Sequence, residues 1–309
     1  MGNFIDKMLG KATETVGNVV NAVTEQLTIS PVDTTQPLNN IGRKMDGSYE
    51  CEETNVIDLV NVTKKFKTDK GEFTLFENLN FSVPDFKGEG QFISIMGPSG
   101  GGKSQLLKLF SGLERPTSGE VKIFGKPQKP NDSIPMVFQQ YSSYPWMSVV
   151  ENIELPLKLK GVGSKERREL AMEMIKTVGL VGHENKWTCN LSGGQQQRVA
   201  IARGLIASSQ IILLDEATSA LDIKMKRELQ DTMLDIYYNS KVDATFITVT
   251  HNLDEAIYLS NRIYIMASNP CRIHSVIDVN FDCKRTPAIR KTAKYTQYMQ
   301  QIEDIMDKL

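Results

Sequence analysis

The stretch Gly97-Pro98-Ser99-Gly100-Gly101-Gly102-Lys103-Ser104 constrains this chain more than any other. Its spacing is G-x-x-x-x-G-K-S/T. Glycines let the backbone curl so that successive N–H groups point inward at an anion. A helix that starts at the end of the loop adds its own free N–H groups and dipole. Lys103 is placed to reach β- and γ-phosphates, and Ser104 to hold Mg2+. From average residue usage, a chance match in a glycine-rich turn has odds of about one per cent for such a chain. The flanks lower those odds. Gln91 to Met96 reads as a buried strand, and Leu106, Leu107, Leu109 and Phe110 as the apolar face of a helix.

Downstream, buried strands end in chemically useful groups. Ile211 to Leu214 runs into Asp215-Glu216, and Ala244 to Val249 into Thr250-His251, with a helical pattern over about 225–238 between them. Such alternation predicts a mainly parallel sheet covered by helices on both faces. Ligands of such sheets bind beyond the carboxyl ends of the strands, so Met96, Asp215 and His251 should share one rim. Upstream, Val56 to Val62 and Phe73 to Val83 predict strands joined by a turn at Asp69-Lys70-Gly71, with further strands at 120–124 and 134–138. Residues 148–190 have another texture. Glu166, Arg167, Arg168, Glu169 and Glu173 alternate with Leu170, Met174, Ile175 and Val178, which predicts a helical insertion with a solvated charged face. Pro287 to Leu309 predicts a closing amphipathic helix with Ile302, Ile305 and Met306 on one side.

An acid at the end of a buried strand, such as Asp215, can hold Mg2+. A neighbouring acid, Glu216, can orient or deprotonate a water that attacks the γ-phosphate. Leu191-Ser192-Gly193-Gly194-Gln195 precedes a helical pattern over 196–207 and gives a second helix start with exposed N–H groups, hence a second anion site. An ordinary capped helix would look the same in isolation.

A chain of 309 residues with 40% hydrophobic and 24% charged residues can bury a sizeable core. With a net charge of −1, nothing suggests a broad basic face for nucleic acid. Cys51, Cys189, Cys271 and Cys283 are scattered and read as reduced thiols rather than a metal or disulfide framework. No apolar run has the length of a membrane span, and the N-terminus lacks the features of a secretory signal. Residues 1–53 stand apart as an extension: a weak helical pattern from Phe4 to Leu27, interrupted by Gly10 and Gly17, then a polar linker after Pro31. A tail or a partner contact fits it better than a lipid-bound helix, because only Lys7 and Lys11 are basic in that helix.

From Asn55 onward the chain resembles the ATP-binding subunits of ABC transporters, on several motifs in the proper order. Gly97 to Ser104 is similar to Walker A, Gln139 to the Q-loop glutamine, and Leu191 to Gln195 to the ABC signature. Asp215 and Glu216 resemble the Walker B aspartate and catalytic glutamate. Ser219-Ala220-Leu221-Asp222 resembles the D-loop, His251 the switch histidine, and Phe66 the aromatic that stacks on adenine. The segments Tyr144 to Asn152 and Val249 to Ala256, continuing to Arg262, resemble the nitrate/sulfonate/taurine importer group; Glu151 to Gly161 is also similar to the lipoprotein-release type. Gln105 stands where the family usually has Thr, and Ala217 where this importer group usually has Pro. The extension has no counterpart in the family core.

The resemblance implies an α/β P-loop fold of ABC type over residues 54–309: a mainly parallel core sheet with flanking helices, an antiparallel β-subdomain and a helical insertion. It implies ATP and Mg2+, with Ser104, Gln139 and Asp215 at the metal. Phe66, the residues 97–105, Ser192, Gly193, Gly194, Gln195 and Asp222 would contact nucleotide, and Glu216, His251 and Gln139 would serve hydrolysis. Two copies, or this chain and a similar ATPase subunit, would face each other head to tail with ATP between Walker A of one and Ser192 to Gln195 of the other. ATP-driven closure would power integral membrane permease subunits, with a substrate-binding protein acting through the permease. The expected place is cytoplasmic, on the inner face of the membrane, and the expected cargo a small anion. Two alternatives remain at this level: an ABC ATPase that remodels a complex without transport, and a module that binds ATP with little hydrolysis.

Overall fold

β-branched and aromatic residues build the first two strands, β1 (Cys51–Thr68) and β2 (Gly71–Phe86). They pair antiparallel from Cys51↔Phe86 to Thr68↔Gly71. This computed structural model describes residues 51–309 apart from 70, 87–89, 130–131, 133, 140–141, 208–209, 240–243, 269 and 282. The expected N-terminal helix and most of the linker lie outside the described residues. The long pair is bent by register shifts. Asn61 and Asn78 each take φ 49, a left-handed conformation that asparagine tolerates. β3 (Gln91–Met96) then leaves this layer, and helix α1 (Lys103–Ser111) follows it. β4 (Ser118–Ile123) and β5 (Lys126–Pro127) complete an antiparallel sheet in the order β2-β1-β4-β5.

The remaining strands are β6 (Met136–Val137), β7 (Ile211–Asp215), β8 (Thr245–Val249), β9 (Arg262–Ala267) and β10 (Arg272–Asp278). With β3 they form a six-stranded sheet in the order β10-β9-β3-β8-β7-β6. All pairs are parallel except β9 with β10. β3, β8 and β9 are buried at every residue, as strands covered on both faces should be. The fold is thus the α/β architecture expected from the sequence.

The helices between strands are α2 (Val149–Leu159), α3 (Ser164–Thr177), α4 (Gly193–Ala207), α5 (Ile223–Asn239) and α6 (Leu253–Leu259), and α7 (Ala293–Met306) closes the chain. Alternate sheet residues feed two cores. Phe92, Ile212, Leu214 and Phe246 pack with residues of α2 to α7. Ile93, Ile95, Leu213 and Ile247 pack with Leu106, Leu107 and Phe110 of α1 and with Val62, Phe76 and Phe81 of the antiparallel sheet. Each fully buried side chain of this kind contributes about 1.5–3 kcal/mol.

Several boundaries differ from expectation for local reasons. The strand expected at 134–138 pairs only over Met136–Val137. Pro135 has no N–H to donate there, although its carbonyl still accepts from the Leu213 N–H at 3.1 Å. α4 starts at Gly193, three residues before the expected 196, because Ser192 caps it. The single helix expected over Pro287 to Leu309 is a 3-10 turn, Pro287–Lys291, followed by α7; the break is at Thr292, whose hydroxyl accepts from the Tyr295 N–H at 3.3 Å. α2 and α3, with a 3-10 turn at Thr188–Asn190, lie in the charged stretch 148–190. Ser148 and Glu151 form a reciprocal capping box at the start of α2. No helix among the described residues is long and apolar enough to cross a membrane.

Candidate nucleotide site

The loop between β3 and α1 is compressed from two sides. Gly97 has φ 150, and a Cβ there would stand 2.5 Å from the Met266 carbonyl oxygen of β9. Gly102 has φ 81, and a Cβ there would stand 2.8 Å from the Phe76 ring of β2. Only glycine fits both places. Gly102 is also the N-cap of α1 and has no side chain to occupy the first-turn N–H groups, which leaves them for an anion. Ser99 and Gly100 are exposed at the tip, Pro98 is half-buried, and the Gly101 N–H closes the turn on the Pro98 carbonyl at 3.2 Å.

Lys103 is buried and folds back over the loop, donating to the Gly97 carbonyl at 2.9 Å and the Pro98 carbonyl at 2.7 Å. Burial pulls its pKa down, and the nearby Glu216 and Asp215 carboxylates partly oppose this. Ser104 donates its hydroxyl to Asp215 Oδ1 at 3.0 Å. Burial pushes the Asp215 carboxyl above its ordinary value, while the Ser104 hydrogen bond works the other way. Gln105 is half-buried, and its Oε1 finds no hydrogen-bond partner among the described residues.

The strand order places β8 between β3 and β7, so the three loops beyond their carboxyl ends are neighbours. The Glu216 N–H bonds the Val249 carbonyl at 3.0 Å, and the Thr250 N–H bonds the Ile95 carbonyl at 3.2 Å. Glu216 takes φ 47, an unusual left-handed conformation for a residue with a side chain. Its Oε1 lies 3.3 Å from His251 Nδ1; the histidine side chain is 64% exposed. Gln139 is exposed just past β6. Phe66 is half-buried near the end of β1, opposite Phe73, with the Lys64 ammonium 5.1 Å from its ring centre.

Ser192 to Gln195 form a reciprocal cap at the start of α4. The Gln195 N–H donates to Ser192 Oγ at 3.4 Å, and the Ser192 N–H to Gln195 Oε1 at 3.1 Å. Gly194 is buried against Met225. Asp222 is exposed and caps α5, its Oδ1 accepting from the Met225 N–H at 2.9 Å. Hydrogen bonds therefore join Ser104 to Asp215 and Glu216 to His251, but among the described residues none runs from these to Ser192–Gln195. Glu255 belongs to the same rim and was not foreseen. It is buried, and its two carboxylate oxygens accept from Thr218 and Thr250, each at 2.6 Å. The available signal was an acid set directly against the apolar run Ala256 to Leu259.

Comparison with known proteins identifies the family. Residues 76–219 match the family model described as "ABC transporter". The chain is 33% identical over 257 residues to the nitrate import ATP-binding protein NrtD of Synechocystis sp., covering 81% of this chain and 94% of the relative. It is 39% identical over 249 residues to the aliphatic sulfonates import ATP-binding protein SsuB of Bacillus thuringiensis subsp. konkukian, covering 80% and 96%. Among solved structures, the dimeric structure of MJ0796, a bacterial ABC transporter cassette, matches with a TM-score of 0.62 at 34% identity, over 73% of this chain and 99% of that one. A post-hydrolysis state of the same cassette, bound to ADP and Pi, matches equally. With its glycine-lined loop, strand-end acids and capped second helix start in place, the chain belongs to the ABC transporter ATP-binding proteins and is an ATPase of that family.

Proposed function

We propose that this transporter ATPase drives import of a small anion of the nitrate or organosulfonate class. It would act as an ATP-sandwiched pair on the inner face of a membrane, bound to separate permease subunits. The observation that carries the hydrolytic part is the convergence of Lys103, the Ser104–Asp215 pair and the Glu216–His251 pair at one strand-end rim. The importer part rests on the similarity to proteins named as nitrate and aliphatic sulfonate import subunits.

In this reading the loop amides of 97–104 cradle the β- and γ-phosphates, and Lys103 exchanges its two carbonyl acceptors for phosphate oxygens. Phe66 stacks on adenine, and Gln105 lies beside the α-phosphate. The Ser104 hydroxyl and Asp215 carboxylate form a hard-oxygen pair that suits Mg2+, which favours one or two carboxylates together with phosphates and water; Gln139 would join them. When bound, the ion neutralises phosphate charge. Glu216 takes a proton from the attacking water as the new O–P bond forms and the bond between γ-phosphorus and ADP breaks. His251 orients the γ-phosphate. Ser192 to Gln195 of the opposed copy closes the far side with main-chain N–H groups, beside Asp222.

Glu216→Gln tests the chemistry. The Mg-ATP turnover number should fall about 10²–10⁴-fold, while ATP-dependent pairing in light scattering persists. Equal rates in wild type and variant would remove Glu216 from the role. The cargo is tested with the complex purified from membranes and reconstituted in vesicles. Nitrate or an alkanesulfonate, with any copurifying binding protein, should raise the ATPase rate. Stimulation by neither would remove the importer assignment, and recovery of only soluble partners would favour a remodelling ATPase.

A further inference from the structure

We propose that Glu255 is a positioning residue for hydrolysis, a buried brace that fixes the spacing between Glu216 and His251. The proposal rests on the reading of that pair as the hydrolytic pair.

The problem the brace solves is visible in the main chain. β7 and β8 are held in register up to Asp215↔Val249. Beyond that point both segments leave the sheet, and both carry their functional side chain outside it. Glu216 adopts a left-handed conformation, so the strand does not dictate where its side chain points. His251 is largely exposed, so packing does not fix its ring. A contact of 3.3 Å between two such groups needs a common support.

Glu255 provides one. It is 3% exposed and lies in the first turn of α6, where its N–H bonds Asn252 Oδ1 at 2.9 Å. Its Oε2 accepts from the hydroxyl of Thr250, the residue directly before His251. Thr250 Oγ1 also accepts from the Asn252 N–H at 3.1 Å, which wraps the chain tightly around His251. Its Oε1 accepts from Thr218 Oγ1, two residues after Glu216. The turn that carries Thr218 is closed on Glu216 itself. Both the N–H and the hydroxyl of Ser219 bond the Glu216 carbonyl, at 3.0 and 2.8 Å.

One carboxylate therefore reaches Glu216 through a single tight turn and His251 through a single residue. Its helix is anchored from outside as well. The neighbouring Asp254 accepts from Arg290 at 2.9 Å and from the Tyr295 hydroxyl at 2.6 Å. A buried carboxylate is tolerated only while its oxygens are hydrogen-bonded, so both bonds of the brace hold together or fail together.

The test compares steady-state Mg-ATP kinetics of the full chain in wild type, Thr218→Val, Glu255→Leu, the double variant and Glu255→Gln. Thr218→Val and Glu255→Leu should lower kcat about tenfold or more while KM for ATP stays within about twofold, the signature of a support that acts on the chemical step. The double variant should be no slower than Glu255→Leu, because both remove the same brace. Glu255→Gln, which can still bridge both threonines, should recover most of the loss. A fold anchor without a positioning role would lower the melting temperature and the active fraction but leave kcat per nucleotide-binding site intact; that result, or additive losses, overturns the proposal. Should Glu255→Leu fail to fold, Thr218→Val alone decides.

Hydrogen exchange keeps the proposal testable apart from the ATPase reading. Should wild type and Glu216→Gln turn over alike, Thr218→Val must still raise amide exchange at 250–253 together with 216–222. A rise confined to 216–222 overturns the brace.

Discussion

Two side chains of the site sit where their charges are disfavoured. Burial lowers the pKa of Lys103 and raises that of Asp215. Such perturbed groups gathered at a strand-end rim are what the proposed phosphate and Mg2+ site calls for. The sign for Asp215 follows from linkage. Its folded pKa lies above the ordinary 3.8, so its contribution to stability is fully present below that value and is lost as pH rises through the elevated one. Asp215→Asn keeps an acceptor for Ser104 and removes the buried charge. Without nucleotide, its melting temperature at neutral pH should exceed that of wild type, and the gap should shrink as pH falls toward 4. The same variant should lose Mg-ATP hydrolysis. Thermal unfolding across pH in parallel with ATPase assays checks both. A variant that melts below wild type at neutral pH would show that the carboxylate stabilises the fold.

At the level of elements, caps and one late strap determine where side chains end up. The strap is the segment after β10. Arg290 donates to Asp254 and to Gln230 Oε1 at 2.8 Å, and its guanidinium lies 3.5 Å from the centre of the Tyr258 ring. Tyr295 adds its bond to Asp254; burial, reinforced by that carboxylate, raises the tyrosine pKa beyond the ordinary range. Arg290→Ala should destabilise the protein by about 1–3 kcal/mol in urea titration, because it leaves a half-buried acid and an amide with fewer partners. A change below about 0.5 kcal/mol, as at an ordinary surface position, would mean that the strap does not hold α6. None of this was legible in the sequence, since Asp254 lies 36 residues from Arg290 and 41 from Tyr295 and no local pattern links them. The loop at 97–104, the acids at 215–216 and the turn at 191–195 were legible because each is a contiguous stretch of sequence. α6 and β9 stayed hidden because the apolar run Ala256 to Leu259 meets Ile263 to Met266 with only Ser260-Asn261-Arg262 between them, so neither a helical nor a strand period stands out. Glu255 was hidden for the opposite reason: an acid beside another acid, Asp254, looks like surface in sequence, and only its two threonine donors reveal that it is core.

Over the whole molecule, the loop at 97–104 and the turn at 192–195 are separate helix starts with no hydrogen bond between them among the described residues, and the proposed function pairs two copies head to tail so that each loop faces the other copy's turn. Complementation tests that arrangement. Lys103→Ala disables one cradle and Gly193→Asp the other, and each variant alone should be inactive. In a mixed dimer one composite site keeps both intact halves, so mixing should restore up to about half of the wild-type rate per dimer, since removal of either half of a site abolishes its transition-state contacts. No recovery on mixing would place both cradles of a site within one copy.

The six-stranded sheet separates two apolar compartments of unlike content. On one side are α1 and the antiparallel strands beneath the loop at 97–104; on the other are α2, α3, α4 and the terminal strap. That single layer of strands is buried on both faces and so joins the two compartments in one closely packed body. The two short segments past Asp215 and Val249 border both compartments at the rim and are joined there through Glu255; under the proposed function that junction would be the narrow passage between chemistry on one bank and movement on the other.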